Sequence, residues 1–250
     1  MMTDETHQIS RALAAHALFK NARADLLTSL SQRAHIQKAS KGKVLFVNRD
    51  QADHFFLILK GWVKLYRETL DGTQAVVDIL PAGHIFGETS LFENGMYSYS
   101  AEAVEPLEYS AFSLSTLRAE IEENPSFALQ MLSSMAHYRK QQDQELEHLT
   151  LQNAPQRIGC FLLRLTDQTQ KGALTIHLPY DKTLVASRLG MQPETFSRAL
   201  SKLKEATGIK IKGATVELDS LEQLSHFSCS ACSSEFPCKD LRTPKTAYSG

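Results

Sequence analysis

Apolar and polar positions follow different rhythms in successive parts of the 250-residue chain. From about residue 36 to 112, short runs rich in β-branched and aromatic residues recur: KVLFV, HFFLILKG, WVKLYRE, QAVVDIL, HIFGE, SYSAEAV and LEYSAF. Turn signals separate them at Lys41-Gly42, Lys60-Gly61, Asp71-Gly72, Pro81-Ala82-Gly83 and Asn94-Gly95. Many short strands punctuated this way predict a β-sandwich or roll rather than alternating β and α units. Ahead of them, Ile9, Leu13, Leu18, Leu26, Leu27 and Leu30 keep helix-like spacing.

From about residue 114 to 150 the pattern turns helical. Asn124-Pro125-Ser126 interrupts it, because proline is excluded from a helix interior but favoured in a first turn, so a new helix is expected there. Along that helix Met131, Met135, Tyr138, Gln142, Leu146 and Leu149 form one narrow stripe. A stripe this thin suits a two-stranded helical seam, with packing against the β-block as the alternative. Ala154-Pro155 ends the helix and marks a boundary.

Residues 182–201, KTLVASRLGMQPETFSRALS, carry the most specific pattern. A helix-turn-helix needs a small residue where its helices cross, and Ala186 is placed for that. Four residues later it needs a glycine able to take positive φ, and Gly190 is there. Phe196 stands where an apolar residue must tie the second helix to the first, and Pro193 stands at that helix's expected start. Gln192, Glu194, Thr195, Ser197, Arg198 and Lys202 are left for the outer surface. A β-hairpin is expected at IKIKGATVEL, turning at Lys212-Gly213, which makes the module winged. Arg198 can donate a bidentate pair to guanine, Glu194 can accept from a cytosine amino group, and Ser197 can bond either kind of base edge. Lys202, Lys204, Lys210 and Lys212 suit phosphate contacts.

Charge strengthens this reading. The chain carries a net charge of −1, but residues 1–154 hold 14 Lys and Arg against 19 Asp and Glu, and residues 155–226 hold 10 against 7. Lys182 to Lys212 alone carries seven bases and two acids, the electrostatic footprint of a nucleic-acid-binding module. With 42% hydrophobic and 22% charged residues the composition is that of an ordinary globular protein, and no apolar run approaches the ~20 residues of a membrane span. The N-terminus has no basic segment leading into an apolar one, so a cytoplasmic location is the default expectation. No nucleophile–base motif, P-loop or Rossmann fingerprint supports the alternative of a metal-dependent enzyme, and no catalytic residue is expected.

A β-roll, a long helix and a winged helix-turn-helix in that order resemble the CRP/FNR family of bacterial transcription regulators. The likeness spans about residues 15–226 and is carried by the β-roll from Lys41 to Gly95 and by LGMQPETFSRAL. It implies an α+β fold with four parts: a cyclic-nucleotide-binding-type β-roll with its N-terminal helix (1–113), a dimerisation helix (114–153), a winged helix-turn-helix (154–226) and a cysteine-containing tail (227–250). Glu194, Ser197 and Arg198 resemble the recognition helix of the FNR-like branch, which implies a palindromic TTGAT…ATCAA-type site read by a dimer. Double-stranded DNA, a second copy of the chain and RNA polymerase are the implied partners. Members that bind cyclic nucleotides follow Phe-Gly-Glu with an Arg-Ser pair that holds the phosphate. Here Phe86-Gly87-Glu88 is present, but Ser98-Tyr99 stands where that pair would be. Without the guanidinium an anionic ligand lacks its main countercharge, so cyclic AMP is not expected.

The cysteines offer another input. The first 159 residues have none; Cys160 follows, then Cys229, Cys232 and Cys238 arrive together. In a reducing compartment such clustering points to metal or redox chemistry rather than to a disulfide scaffold. Bacillus-type regulators of the same family are similar in placing three cysteines after the winged helix. There they ligate a 4Fe–4S cluster with a carboxylate of the dimer helix, although their second spacing is one residue shorter. The resemblance implies oxygen or nitric-oxide sensing, with Asp143 as first candidate for the fourth ligand and Glu145, Glu147 and His148 behind it. Cys160, in the apolar run RIGCFLLRL, reads as a small buried hydrophobe. Phe236 and Pro237 are expected to shield a cluster from water. A structural zinc site remains the alternative, and haem ligation by His54, His84 or His137 is a further option.

Overall fold

The computed structural model describes residues 4–20, 22–166, 172–178, 182–233, 236 and 238. The described chain divides into two compact units, residues 1–137 and 138–250. Pro237 and the tail beyond Cys238 lie outside the described residues.

The first unit opens with helices α1 (Asp4–Ala15) and α2 (Ala24–Arg33), joined through a short 3-10 turn at Ala17–Phe19. Eight strands follow: β1 (Gln37–Ala39), β2 (Val44–Phe46), β3 (His54–Lys60), β4 (Trp62–Glu68), β5 (Gln74–Pro81), β6 (Ile85–Phe86), β7 (Ser100–Ala103) and β8 (Leu107–Ser113). They form two antiparallel four-stranded sheets, ordered β1-β8-β3-β6 and β2-β7-β4-β5. This is the expected roll, and the aromatic residues explain why it closes. Phe46 of one sheet stacks on Phe56 of the other at 5.5 Å and on Tyr97 at 3.7 Å, while Phe55 stacks on Phe112 at 5.1 Å. Phe19 continues the cluster to Phe55 and Phe127, which roots the N-terminal segment in the same core. Each such ring removes 150–250 Å² from water, on the order of the largest contributions a single side chain makes.

Helix α3 (Leu114–Glu123) starts at Ser113, whose hydroxyl accepts from the Ser115 amide. It ends at Asn124, and α4 (Pro125–Leu151) begins with Pro125 in its first turn, as expected. Glu120 is buried, and its carboxylate accepts from Arg23 Nη2 at 2.6 Å and from Asn124 Nδ2 at 2.7 Å. The stripe expected along α4 divides. Phe127 and Met131 are buried in the core of the first unit, whereas Leu129, Leu132, Tyr138, Leu146, Leu149 and Leu151 are exposed. Packing against the β-block therefore holds for the first turns of the helix, and the later stripe residues Tyr138, Leu146 and Leu149 are left exposed.

His16 carries a testable consequence. Its Nδ1 accepts from the Leu18 amide and caps the 3-10 turn, a role open only to the neutral ring. Burial, helped by His84, lowers its pKa from 6.5 to about 4. The unfolded chain then takes up the proton first as pH falls, so stability is full above 6.5 and declines towards pH 4. By pH 5 the loss is about 2 kcal/mol. Urea unfolding followed by fluorescence of Trp62, the one tryptophan of the chain and a β4 residue, should show this loss in wild type. It should be largely absent in His16→Asn, which keeps a capping acceptor without the titration.

The second unit contains the rest of α4, then α5 (Ala154–Arg164), β9 (Leu174–His177), α6 (Lys182–Arg188), α7 (Pro193–Thr207), β10 (Lys210–Lys212), β11 (Thr215–Leu218) and α8 (Leu221–Ser228). Asn153 and Gln156 form a reciprocal capping box that starts α5, with Pro155 in its first turn. The hairpin β10-β11 is the expected wing, turning at Lys212-Gly213, and β9 adds a third strand in the order β10-β11-β9. No described helix is long and apolar enough to cross a membrane.

Candidate functional site

The outer face of α7 is fixed from beneath. Ala186 on α6 is wholly buried, and Val185, Phe196, Ala199 and Leu203 pack with it into the core of the second unit. Between the helices the chain reverses at Gly190, whose φ is 64°. An added Cβ there would touch nothing nearer than Leu149 Cδ2 at 3.9 Å, so glycine is required by conformation and not by space. The Met191 amide donates to the Ala186 carbonyl at 2.9 Å and closes the turn. With that face anchored, Gln192, Glu194, Ser197, Arg198 and Lys202 are exposed and Thr195 is half-buried. Lys204, Lys210 and Lys212 are exposed as well, Lys212 lying 3.9 Å from Glu217. A helix presenting one guanidinium and short polar groups, flanked by lysines, is suited to a major groove and its phosphates.

The cysteines form a second feature of the same unit. Helices α5 and α8 cross at Gly159, where a Cβ would stand 2.0 Å from Ser228 Oγ and 3.2 Å from Ser228 Cβ. This crossing explains a glycine in a helix interior and places Cys160 beside the segment that begins at Cys229. The imidazole of His148 lies between two thiols, its Nδ1 3.9 Å from Cys160 Sγ and its Nε2 3.4 Å from Cys232 Sγ. Cys229 and Cys238 share a thiol hydrogen bond. Cys160, Cys238 and His148 are buried, whereas Cys229 and Cys232 are half-buried.

Three of these groups are biased towards their neutral forms: Cys160, Cys229 and His148. Burial pushes the Cys160 thiol up to about 11. The bond to Cys238, followed by burial, raises that of Cys229. Burial and then the charge of Arg164 lower the pKa of His148. Among the described residues no three such side chains stand in geometry that could hold a metal ion.

The four candidates for a fourth ligand part company here. Asp143 turns outward and accepts from Arg139 Nε at 3.1 Å, both side chains being largely exposed. Glu145 accepts from Arg188 at 2.6 Å and Arg164 at 3.1 Å. Burial opposes its ionisation, but the two guanidiniums outweigh it and lower its pKa. Glu147 accepts from the Ser233 amide and hydroxyl, each at 2.8 Å, and pins the chain just after Cys232. Of the four, His148 is the one that stands beside cysteines among the described residues, at 3.9 Å to Cys160 and 3.4 Å to Cys232. Cys160, expected as an isolated hydrophobe, is buried but is a neighbour of the tail thiols.

Residues 36–124 match the cyclic nucleotide-binding domain, and residues 156–227 match the Crp-like helix-turn-helix domain. The chain is 31% identical to the cyclic AMP receptor protein of Thermus thermophilus, over 78% of this chain and 87% of that one. It is 30% identical to the nitrogen fixation regulation protein FixK of Rhizobium meliloti, over 73% and 82%. The chain belongs to the CRP/FNR family. The solved FixK2 of Bradyrhizobium japonicum, 22% identical, shares the fold with a TM-score of 0.68 over 80% of this chain and 99% of that one. Its Crp-like helix-turn-helix makes this CRP/FNR-family protein a DNA-binding transcription regulator.

In this CRP/FNR-family protein the Phe86-Gly87-Glu88 turn is intact. Gly87 has a φ of 86°, and Glu88 opens a 3-10 turn at Glu88–Phe92. The Glu88 carboxyl is buried, with Oε2 unpartnered among the described residues, and burial raises its pKa. Ser98 offers no countercharge for a phosphate. Its carbonyl instead accepts from Arg67 Nε at 2.8 Å.

Proposed function

We propose that this protein is a homodimeric transcription regulator that reads a palindromic FNR-type operator under control of an oxygen- or nitric-oxide-sensitive iron–sulfur cluster. The observation that carries the sensing part is the gathering of Cys160, Cys229, Cys232, Cys238 and His148 in the unit that holds the recognition helix. A sulfur-rich, largely buried donor set suits a cluster, whose persistence depends on thiolate ligands and shielding from water. Bound there, a cluster would supply reactivity towards oxygen or nitric oxide. The protein's part is to fix the tail against α4 through Glu147–Ser233 and against α5 through the Gly159–Ser228 crossing. Dimerisation is supported by the exposed leucines of α4, which a second copy of the helix would cover. RNA polymerase is the partner through which such a regulator would act. Cyclic AMP, named for the Thermus relative, is not carried over, because Ser98 stands where the phosphate needs a cation.

Anaerobically purified protein should be brown, with iron and acid-labile sulfide in equal amounts. It should bind a TTGAT…ATCAA duplex as a dimer and lose affinity after exposure to air or nitric oxide. Colourless protein containing zinc, with the same operator affinity before and after exposure, would replace this reading with a structural zinc tail.

A further inference from the structure

We propose that Glu145 is a positioning residue, whose carboxylate fixes the helix-turn-helix on α4 and so sets the half-site separation that a dimer can read. The proposal rests on the dimeric, palindrome-reading part of the function proposed above and assigns part of that reading to a residue outside α7.

Two contacts carry it. Glu145 accepts from Arg188 Nη2 at 2.6 Å and from Arg164 Nη1 at 3.1 Å. Arg164 is the last residue of α5 and Arg188 the last of α6, so one carboxylate gathers the ends of both helices. The side chains of Arg188, Arg164 and Glu145 are only 19%, 20% and 30% exposed, and charge-assisted hydrogen bonds of this kind are roughly twice as strong as neutral ones. One turn further along α4, Leu149 Cδ2 lies 3.9 Å from where a Cβ would stand on Gly190, the turn residue of the motif. Glu145 and Leu149 are four residues apart and share a face of the helix. That face therefore meets both the end of α6 and the turn from which α7 departs.

The chain itself joins α4 to the DNA-binding module at the corner beside Asn153, the cap of α5. A corner alone is a hinge. Glu145 stands eight residues before it, about 12 Å along the helix axis. An attachment at that distance means that the module cannot swing about the corner without breaking the ion pairs. In a dimer built on α4, the angle fixed in this way sets where the two α7 helices stand, and the half-sites they meet are about one helical turn apart.

The test compares anaerobically purified full-length wild type, Glu145→Gln, Glu145→Arg and the double variant Glu145→Arg, Arg188→Glu by fluorescence anisotropy on three duplexes. The first is a TTGAT…ATCAA palindrome with half-sites one helical turn apart. The second has two base pairs inserted between them, which turns one half-site by roughly 70°, and the third carries a single TTGAT half-site. Wild type should prefer the first palindrome to the second. In Glu145→Gln that preference should fall by roughly five-fold or more, the lower end of ordinary coupling between linked sites, with half-site affinity unchanged. Glu145→Arg should lower it at least as far, and adding Arg188→Glu, which restores opposite charges at the contact, should recover most of it. An unchanged preference in Glu145→Gln would overturn the proposal, as would an equal loss of affinity for all three duplexes, which marks a merely structural residue. Iron content should be the same in wild type and Glu145→Gln, and a fall in iron together with the preference would make Glu145 a cluster ligand and overturn the proposal too. Wild type that does not distinguish the two palindromes would defeat the dimeric reading and the proposal with it, whereas unchanged variants of a discriminating wild type would defeat the proposal alone.

Discussion

Replacing Arg198 by alanine is expected to weaken operator binding by roughly thirty-fold to more than ten-thousand-fold while leaving binding to a scrambled duplex almost unchanged. Arg198 is exposed on α7, whose opposite face is held by Phe196, Ala199 and Leu203. Truncation therefore removes a reading group without disturbing the fold. A bidentate arginine–guanine pair discriminates by about 1–3 kcal/mol, and a dimer on a palindrome makes it twice, so about 2–6 kcal/mol is at stake. Fluorescence anisotropy at one fixed salt concentration, with operator and scrambled duplexes side by side, checks it. Lys202→Ala is the contrast. A phosphate contact should weaken both duplexes alike and reduce the slope of log affinity against log salt by roughly 0.9 per contact. If Arg198→Ala behaved as the lysine variant is expected to, Arg198 would be a backbone contact and the FNR-type assignment of the site would fall.

These expectations reach back to residues that could be read without coordinates, because the features concerned are local. Turn glycines delimit strands, Pro125 can only begin a helix, and Ala186, Gly190 and Phe196 sit at fixed spacings that a helix-turn-helix imposes. Long-range packing is a different matter. Cys160 in an apolar helical run looks like any small core residue, and only the approach of Ser228, far away in sequence, makes it a neighbour of the tail. Asp143 was the natural carboxylate on α4, but at about 100° per residue it faces roughly 140° away from His148. Glu145, on the same side as His148, is bound by two arginines from α5 and α6 that no pattern along α4 could announce. Met131 belongs in the stripe by spacing, yet the first turns of α4 lie over the β-roll core and bury it there. Strand β9 escaped notice because LTIH is only four residues long and its partner β11 lies beyond both helices of the motif.

Enlarging Gly159 is expected to dissolve the thiol cluster from a position that ligates nothing. At this crossing a Cβ would meet Ser228 Oγ at 2.0 Å, with Ser228 Cβ at 3.2 Å and Leu224 Cδ1 at 3.3 Å close behind. Gly159→Leu must separate α8 from α5, and overpacking of this kind costs about 1–3 kcal/mol or more. Cys229 would move off with α8, so the iron content of anaerobically purified protein should fall if the proposed cluster is held by the tail cysteines. Gly159→Ala is the sharper instrument, because two effects oppose. Alanine gains roughly 1 kcal/mol of helix propensity over glycine, against the clash with a hydroxyl. Ser228 Oγ is buried and without a hydrogen-bond partner among the described residues, so Ser228→Ala removes the nearest obstacle at little cost and leaves the tight contacts to Ser228 Cβ and Leu224 Cδ1. Gly159→Ala should therefore be destabilising in the wild-type background and clearly less so beside Ser228→Ala, with a coupling of about 1–2 kcal/mol between them. Urea unfolding followed by far-ultraviolet dichroism reads the helices of both units, and Trp62 fluorescence, which reports the first unit alone, should be unchanged. Additive effects of the two substitutions would mean that the helices part readily at this crossing, and that Cys160 owes its neighbours to something other than Gly159.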